Sequence, residues 1–199
     1  MAKIFSIQKK TDEHFVNLYE FDGINTKGHE SHYMVATRAR SKEQLKAVTH
    51  DYSAADAVVI YSIYNDQVVL VKQYRYPIDG AVYEFPAGLV EEGETLHEAA
   101  VREMKEETGL ELKLLDVDPL YEKPRFTSVG MTDETNAMVY GYASGTISDA
   151  FAEPSEEIEI VLADRQEARR ILEEENVALQ TAYPLSRFVS DEAPFGFVQ

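Results

Sequence analysis

The chain has 199 residues, 44% hydrophobic and 28% charged, the composition of an ordinary globular protein with enough length to bury a sizeable core. Its formal net charge is -17, from 36 acidic against 19 basic residues, and no block of Lys/Arg supplies the basic face that a nucleic-acid duplex requires. There are no cysteines, which excludes disulfides, thiolate metal sites and cysteine nucleophiles. No run of about 18 apolar residues is available to span a membrane, and MAKIFSIQKKTDEHF is interrupted by Lys9, Lys10, Asp12 and Glu13 before a signal-peptide core can form. The expectation is a cytoplasmic protein with neither a nucleic-acid nor a membrane partner. An anionic small molecule would need a bound cation or a few placed arginines to offset the acidic field.

In chain order, FVNLYEF (Phe15–Phe21) and SHYMVAT (Ser31–Thr37) flank the turn-rich DGINTKGHE and predict two or three antiparallel strands. SKEQLKAVTH (Ser41–His50) reads as a short helical or irregular connector. AVVIYSIY (Ala57–Tyr64) and QVVLVKQY (Gln67–Tyr74) are a hairpin joined at Asn65-Asp66. AVYEF (Ala81–Phe85) is a shorter strand that Pro86 and Gly88 break. Thr95 to Thr108 is the strongest helix: Thr95 and Glu98 form a capping box and Gly109 supplies a left-handed stop. ETNAMVYGYA (Glu134–Ala143) and EIEIVLA (Glu157–Ala163) are strands, the second half-buried by alternation. Asp164 caps a helix to about Asn176. A last helical piece covers Leu185 to Val189 after Pro184, and the apolar tail at Phe195, Phe197 and Val198 is expected to dock on the body or on a partner. Strands with helices set between them predict an α/β or α+β sandwich around one sheet. Histidines 14, 29, 32, 50 and 97 make no metal-type pair at helical spacing, and no Gly-x-Ser-x-Gly marks a serine nucleophile.

One stretch stands apart. GLVEEGETLHEAAVREMKEETGL (Gly88–Leu110) carries seven glutamates against Arg102 and Lys105. On a helix, Glu103, Glu106 and Glu107 share one side, where like charges at these spacings each cost a few tenths of a kcal/mol. They also sit near the C-terminal end, where the macrodipole disfavours negative charge. Leu96, Ala100 and Met104 form the opposite, core-facing stripe. A hard divalent cation with oxygen ligands would relieve the crowding.

The same stretch resembles the Nudix box: Gly88, Glu94, Arg102-Glu103-Met104, Glu106-Glu107 and Gly109-Leu110 fit its spacing without departure. With each fixed residue type at roughly 7% usage, a chance match is on the order of one in 10⁸ per start. The resemblance implies a Nudix-type α/β/α sandwich around a mixed sheet (α+β), with an N-terminal antiparallel strand extension. It implies cleavage of a nucleoside diphosphate linked to another moiety by attack of water on phosphorus. It makes Glu103, Glu106, Glu107 and the Ala87 carbonyl ligands of Mg²⁺ (or Mn²⁺), two or three ions with substrate bound, and it makes Glu94 and Arg102 a supporting pair.

The flanks narrow the resemblance. QYRYP (Gln73–Pro77) with VYEFPAGLVEEGE (Val82–Glu94) is similar to the branch that hydrolyses ADP-ribose and other nucleoside diphosphate sugars. That branch implies substrate contacts for Arg75 and Leu89, and for Tyr33 and Arg38 on the N-terminal strands. SVGMTDE (Ser128–Glu134) resembles the branch's loop to a catalytic glutamate, here Glu134 acting as base or metal ligand, with Val129 standing where that loop has proline; a box glutamate, with Glu106 the catalytic candidate, is the alternative base. Residues 1–52 would then be a dimerising, substrate-enclosing β extension of a homodimer and 53–199 the hydrolase domain. ADP-ribose is the first expected substrate. A dinucleotide, coenzyme or oxidised nucleotide, or a non-catalytic nucleotide sensor, are the other readings.

Overall fold

The computed structural model describes residues 2–150 and 157–198; Met1, which opens the stretch MAKIFSIQKKTDEHF, and Gln199, the last residue of the expected hydrolase domain, lie outside them. Its elements are β1 (Lys3–Lys9), β2 (Asn17–Ile24), β3 (Glu30–Thr37), α1 (Lys46–Thr49), β4 (Ala57–Tyr64), β5 (Gln67–Arg75), β6 (Gly80–Glu84), β7 (Ala87–Leu89), α2 (Leu96–Thr108), β8 (Glu111–Leu114), α3 (Pro119–Glu122), β9 (Arg125–Phe126), β10 (Thr135–Ser144), β11 (Ile158–Ala163), α4 (Arg165–Glu174) and α5 (Leu179–Ser190). Two units emerge, Met1–Ala55 with Pro124–Asn136, and Asp56–Lys123 with Ala137–Gln199.

The first unit is built on the antiparallel sheet β1-β2-β3. Strand β2 alternates, so that Tyr19 and Phe21 turn inward and pack with Leu45 from the connector. Residues 124–136 join this unit through backbone and side chain. The amide of Ala36 donates to the Met131 carbonyl at 2.9 Å, Lys46 Nζ donates to Thr135 Oγ1 at 2.6 Å, and the rings of Tyr52 and Phe126 meet edge to face.

The second unit is a sandwich because its central strands are apolar on both faces. In β4, Val59, Tyr61 and Ile63 enter one core while Val58 and Ile60 enter the other. The first core is closed by Ala168 and Ile171 of α4 and Leu185 and Phe188 of α5; the second by Ala99, Ala100 and Met104 of α2. The larger sheet runs β11-β5-β4-β10-β8, with β6 on β5 and β7 on β4. The class is the expected mixed α+β fold with helices on both faces of the sheet. The β4–β5 hairpin turns at Asn65 and Asp66, both at positive φ (48° and 64°), the backbone a two-residue turn of the primed kind needs. Phe195 and Val198 of the tail are buried in the first core.

Two expectations are corrected. The final helix begins at Leu179, not after Pro184, and Pro184 lies inside it. Proline forfeits one i→i−4 bond, but the helix holds because Thr181, Leu185 and Phe188 bury one face. Strand β11 is half-buried by alternation only at its start; Val161 and Leu162 pack into opposite cores, because the sheet there is covered on both sides.

Thr181 also fixes the approach to β7. Its hydroxyl accepts from the Phe85 amide at 3.0 Å in the buried interior. Thr181→Val keeps the shape and orphans that N–H, so denaturant unfolding is expected to show a loss of about 1–3 kcal/mol.

Candidate active site

The second unit clamps the segment 87–94 from two directions. From the sheet, β7 pairs antiparallel with β4, Val58 opposite Gly88 and Val59 opposite Ala87. The Ile60 amide donates to the Pro86 carbonyl and the Val90 amide to the Asp56 carbonyl, at 2.8 and 3.1 Å. From the helix, α2 lies over it. The helix starts where its cap pair specifies: Thr95 accepts from the Glu98 amide, and Glu98 Oε2 accepts from the Thr95 amide at 2.9 Å. It stops at Gly109, φ 72°, whose amide bonds the Lys105 carbonyl.

Two acids of α2 reach the strand below. Glu107, only 5% exposed, accepts from the Ala87 amide through Oε2 at 3.1 Å. Glu103 lies so close over Gly88 that a Cβ there would fall inside its carboxylate. Glycine is required at 88 for that approach, not for backbone dihedrals.

Arg102 holds the remaining acids. Guanidinium has five N–H donors in a fixed fork, and five acceptors surround this one. Nε and Nη2 donate to the two oxygens of Glu94, each at 2.9 Å. Nη2 also donates to the Leu89 carbonyl at 2.9 Å. Nη1 bridges Glu103 Oε1 at 2.7 Å and Glu106 Oε2 at 2.9 Å. The bonds to Glu94, then the other carboxylates, raise the Arg102 pKa above its already high value, and the Arg102 fork holds the Glu94 carboxyl below the usual range.

Seven of the residues singled out in the sequence are thus gathered in one place: Ala87, Leu89, Glu94, Arg102, Glu103, Glu106 and Glu107. Arg75, in the same unit, has its Nε 2.7 Å from Glu84 Oε2. Glu84 was missed in the sequence. Its signal was an acid inside the apolar strand AVYEF, where a buried charge needs a partner. His97 meets both Glu122 carboxylate oxygens at 3.0 Å.

Tyr33, Arg38 and Glu134 belong to the first unit. Arg38 donates to Glu134 Oε1 from Nε at 2.9 Å, and its Nη2 makes an ion-pair contact with the same oxygen at 2.8 Å. The Tyr33 hydroxyl donates to the Gly130 carbonyl at 2.6 Å. The same unit gathers Glu20, Asp22 and His32 with ligand atoms within 4.8 Å of one another, a group distinct from the Gly88–Leu110 acids; Lys10 pairs with its Glu20 at 2.8 Å.

These observations define an α+β sandwich with a carboxylate cluster where a strand–loop runs into a helix. A NUDIX domain model matches residues 53–186, more than half of the chain, and the chain belongs to the NUDIX family. It is 34% identical over 122 residues to an ADP-sugar pyrophosphatase from Mus musculus, covering 57% of this chain and 56% of that protein. It is 27% identical over 140 residues to an ADP-ribose pyrophosphatase from Bacillus subtilis, covering 69% and 74%. The solved structure of an ADP compounds hydrolase shares the fold, with a TM-score of 0.64 at 19% identity over 87% of this chain and 83% of that one. The chain spans about half the length of several curated relatives that it matches, the mouse protein among them. Among the described residues, no helix is long and apolar enough to cross a membrane.

The Glu94–Arg102 pair has a pH signature. Glu94 titrates lower folded than unfolded, so the native state binds fewer protons at this group. Its contribution is full above the ordinary glutamate range near about pH 4.3 and is lost as pH falls through the lower folded value. Glu94→Gln is therefore expected to be less stable than wild type at pH 7, with the gap closing as pH drops below about 4, measured by urea unfolding across pH.

Proposed function

We propose that this protein hydrolyses the pyrophosphate bond of a nucleoside diphosphate sugar with a divalent cation, ADP-ribose first, giving AMP and ribose 5-phosphate. The observation that carries the reading is the clamp of Glu103 and Glu107 onto Gly88 and Ala87, in a chain of the NUDIX family. The mouse and Bacillus relatives named for ADP-sugar and ADP-ribose favour the substrate class.

The residues fit a hard cation. Their donors are all oxygen, which suits Mg²⁺ and Mn²⁺, and the glycine at 88 leaves one carboxylate against bare backbone. Glu103, Glu106, Glu107 and the Ala87 carbonyl would hold Mg²⁺, with Mn²⁺ as substitute and two or three ions when substrate is present. Bound there, the cation offsets repulsion between pyrophosphate and carboxylates, polarises phosphoryl oxygens and lowers the pKa of a water. Arg102 and Glu94 keep the loop registered on the helix. Arg75 is held through Nε by Glu84, which leaves the terminal guanidinium nitrogens to meet a phosphate with little ordering cost. Leu89 contributes backbone, its carbonyl already being used by Arg102. Glu134 is the proposed base. A homodimer through the N-terminal strands and a cytoplasmic location complete the proposal. Exposed Phe5, Leu18, Ile24 and Met34 on that sheet support the dimer, which light scattering over a concentration series would detect.

The deciding measurement is a product-release panel with Mg²⁺ or Mn²⁺, offering ADP-ribose, other sugar nucleotides, dinucleotides and nucleoside triphosphates. Sugar nucleotides are expected to turn over fastest. Preference for a dinucleotide or triphosphate would move the substrate class, and no turnover at all would leave a nucleotide sensor. Glu107→Gln should lose on the order of 10²-fold or more in kcat, the scale of the several kcal/mol a metal contributes; full activity would remove the metal assignment. Gly88→Ala separates site from fold. The clash is with the far end of the Glu103 side chain and not with backbone, so Tm should change little, while a carboxylate displaced by about 1 Å should cost roughly 10²-fold in activity.

A further inference from the structure

The sequence resemblance gives Tyr33 and Arg38 to the substrate. In the structure both side chains engage residues 128–134. Three consecutive ties run from β3 and its exit to that segment. The Tyr33 hydroxyl donates to Gly130 O at 2.6 Å, and the Ala36 amide donates to Met131 O at 2.9 Å. Arg38 closes on Glu134 Oε1 with a hydrogen bond from Nε at 2.9 Å and an ion-pair contact from Nη2 at 2.8 Å. Between the last two, Ala36 and Thr132 form a parallel bridge.

The rest of the segment is folded to suit. The amides of Met131 and Thr132 turn back on Ser128 O at 2.8 and 3.0 Å, the Thr127 amide donates to Glu134 O at 3.1 Å, and the Glu134 amide donates to Thr132 Oγ1 at 3.1 Å. Thr135, the next residue, is 1% exposed and donates through its hydroxyl to Ala54 O at 3.2 Å. The backbone of Glu134 is thus fixed on both sides, and the ion pair fixes its side chain.

We infer that Arg38 is a positioning residue: it orients the Glu134 carboxylate by holding Oε1, so that Oε2 is the oxygen left to take a proton, and Tyr33 fixes the loop that carries it. The Nε hydrogen bond and the Nη2 ion-pair contact both fall on one oxygen, and among the described residues no protein donor meets Oε2. A planar guanidinium carries its donors in fixed directions, so the Nε bond aims Oε1 as well as neutralising it, which a freely rotating ammonium cannot do. Long side chains on loops lose accuracy unless packed or bonded; this one is bonded. The inference rests on the proposal that Glu134 is the base.

The test is a double-mutant cycle on the full chain with the best substrate of the panel, measuring Arg38→Ala, Arg38→Lys, Glu134→Gln and Arg38→Ala/Glu134→Gln, each checked for folding by its melting curve. Arg38→Ala is expected to lower kcat roughly 10- to 100-fold, the range for removing an orienting partner, with KM within about threefold. Arg38→Lys should recover only part of kcat, and the double variant should be no slower than Glu134→Gln alone. Tyr33→Phe should raise hydrogen exchange at the Met131 and Thr132 amides. If Glu134→Gln is inactive but Arg38→Ala raises KM tenfold with kcat intact, or the two losses multiply, Arg38 is a substrate contact and this inference is overturned alone. If Glu134→Gln keeps full activity, the base assignment is overturned and this inference with it. Should Arg38→Ala fail to fold, the comparison of Arg38→Lys with Arg38→Lys/Glu134→Gln decides by the same criterion.

Discussion

Everything at the candidate site depends on neutralising carboxylates that the helix forces together. Glu103, Glu106 and Glu107 share a face of α2 within its last turns, where both their mutual repulsion and the helix macrodipole oppose them. The chain answers with a single guanidinium. Arg102 sits one residue before Glu103 and four before Glu106, and it also reaches Glu94 and the Leu89 carbonyl on the preceding loop. One planar group thus relieves the helix and ties the loop to it. A lysine could supply the charge but not five donors in fixed directions.

That arrangement needs a rigid floor. Strand β4 is buried on both faces, so it cannot shift without disturbing two cores. It carries β7 by antiparallel pairing, and β7 carries Ala87 and Gly88 under Glu107 and Glu103. The route from sequence to site is therefore short: doubly apolar strand, adjacent short strand, glycine without a side chain, carboxylate seated on backbone. A different logic serves Glu134. It is held within the first unit by β3 and the Arg38 fork, so the N-terminal strands have a task in placing this residue besides any role in association.

The parts of the fold that were legible are those set by local chemistry. Thr95, Glu98 and Gly109 mark both ends of α2 because each satisfies backbone groups that a helix end leaves open. Asn65-Asp66 marks the hairpin because both residues tolerate positive φ. Strands β7 and β8 passed unnoticed, having only three and four residues, too few for a period to show. The start of α5 was hidden by Pro184, whose local penalty is outweighed by a buried face supplied from elsewhere in the chain. Val161 and Leu162 read as an alternating edge because alternation cannot report whether a second layer covers the polar side.

The sequence by itself determined which residues could do chemistry: a spacing of glycine, arginine and glutamates whose chance occurrence is negligible. It determined this because a helix converts spacing into direction without help from the rest of the chain. Tertiary structure alone decided how those residues are employed. That Glu103 lies on Gly88, that Glu84 restrains Arg75, and that Arg38 and Tyr33 grip residues 128–134 are contacts between residues 9 to 97 positions apart. No local periodicity encodes them. They follow from which strands pair and which faces are buried, and those are properties of the whole chain.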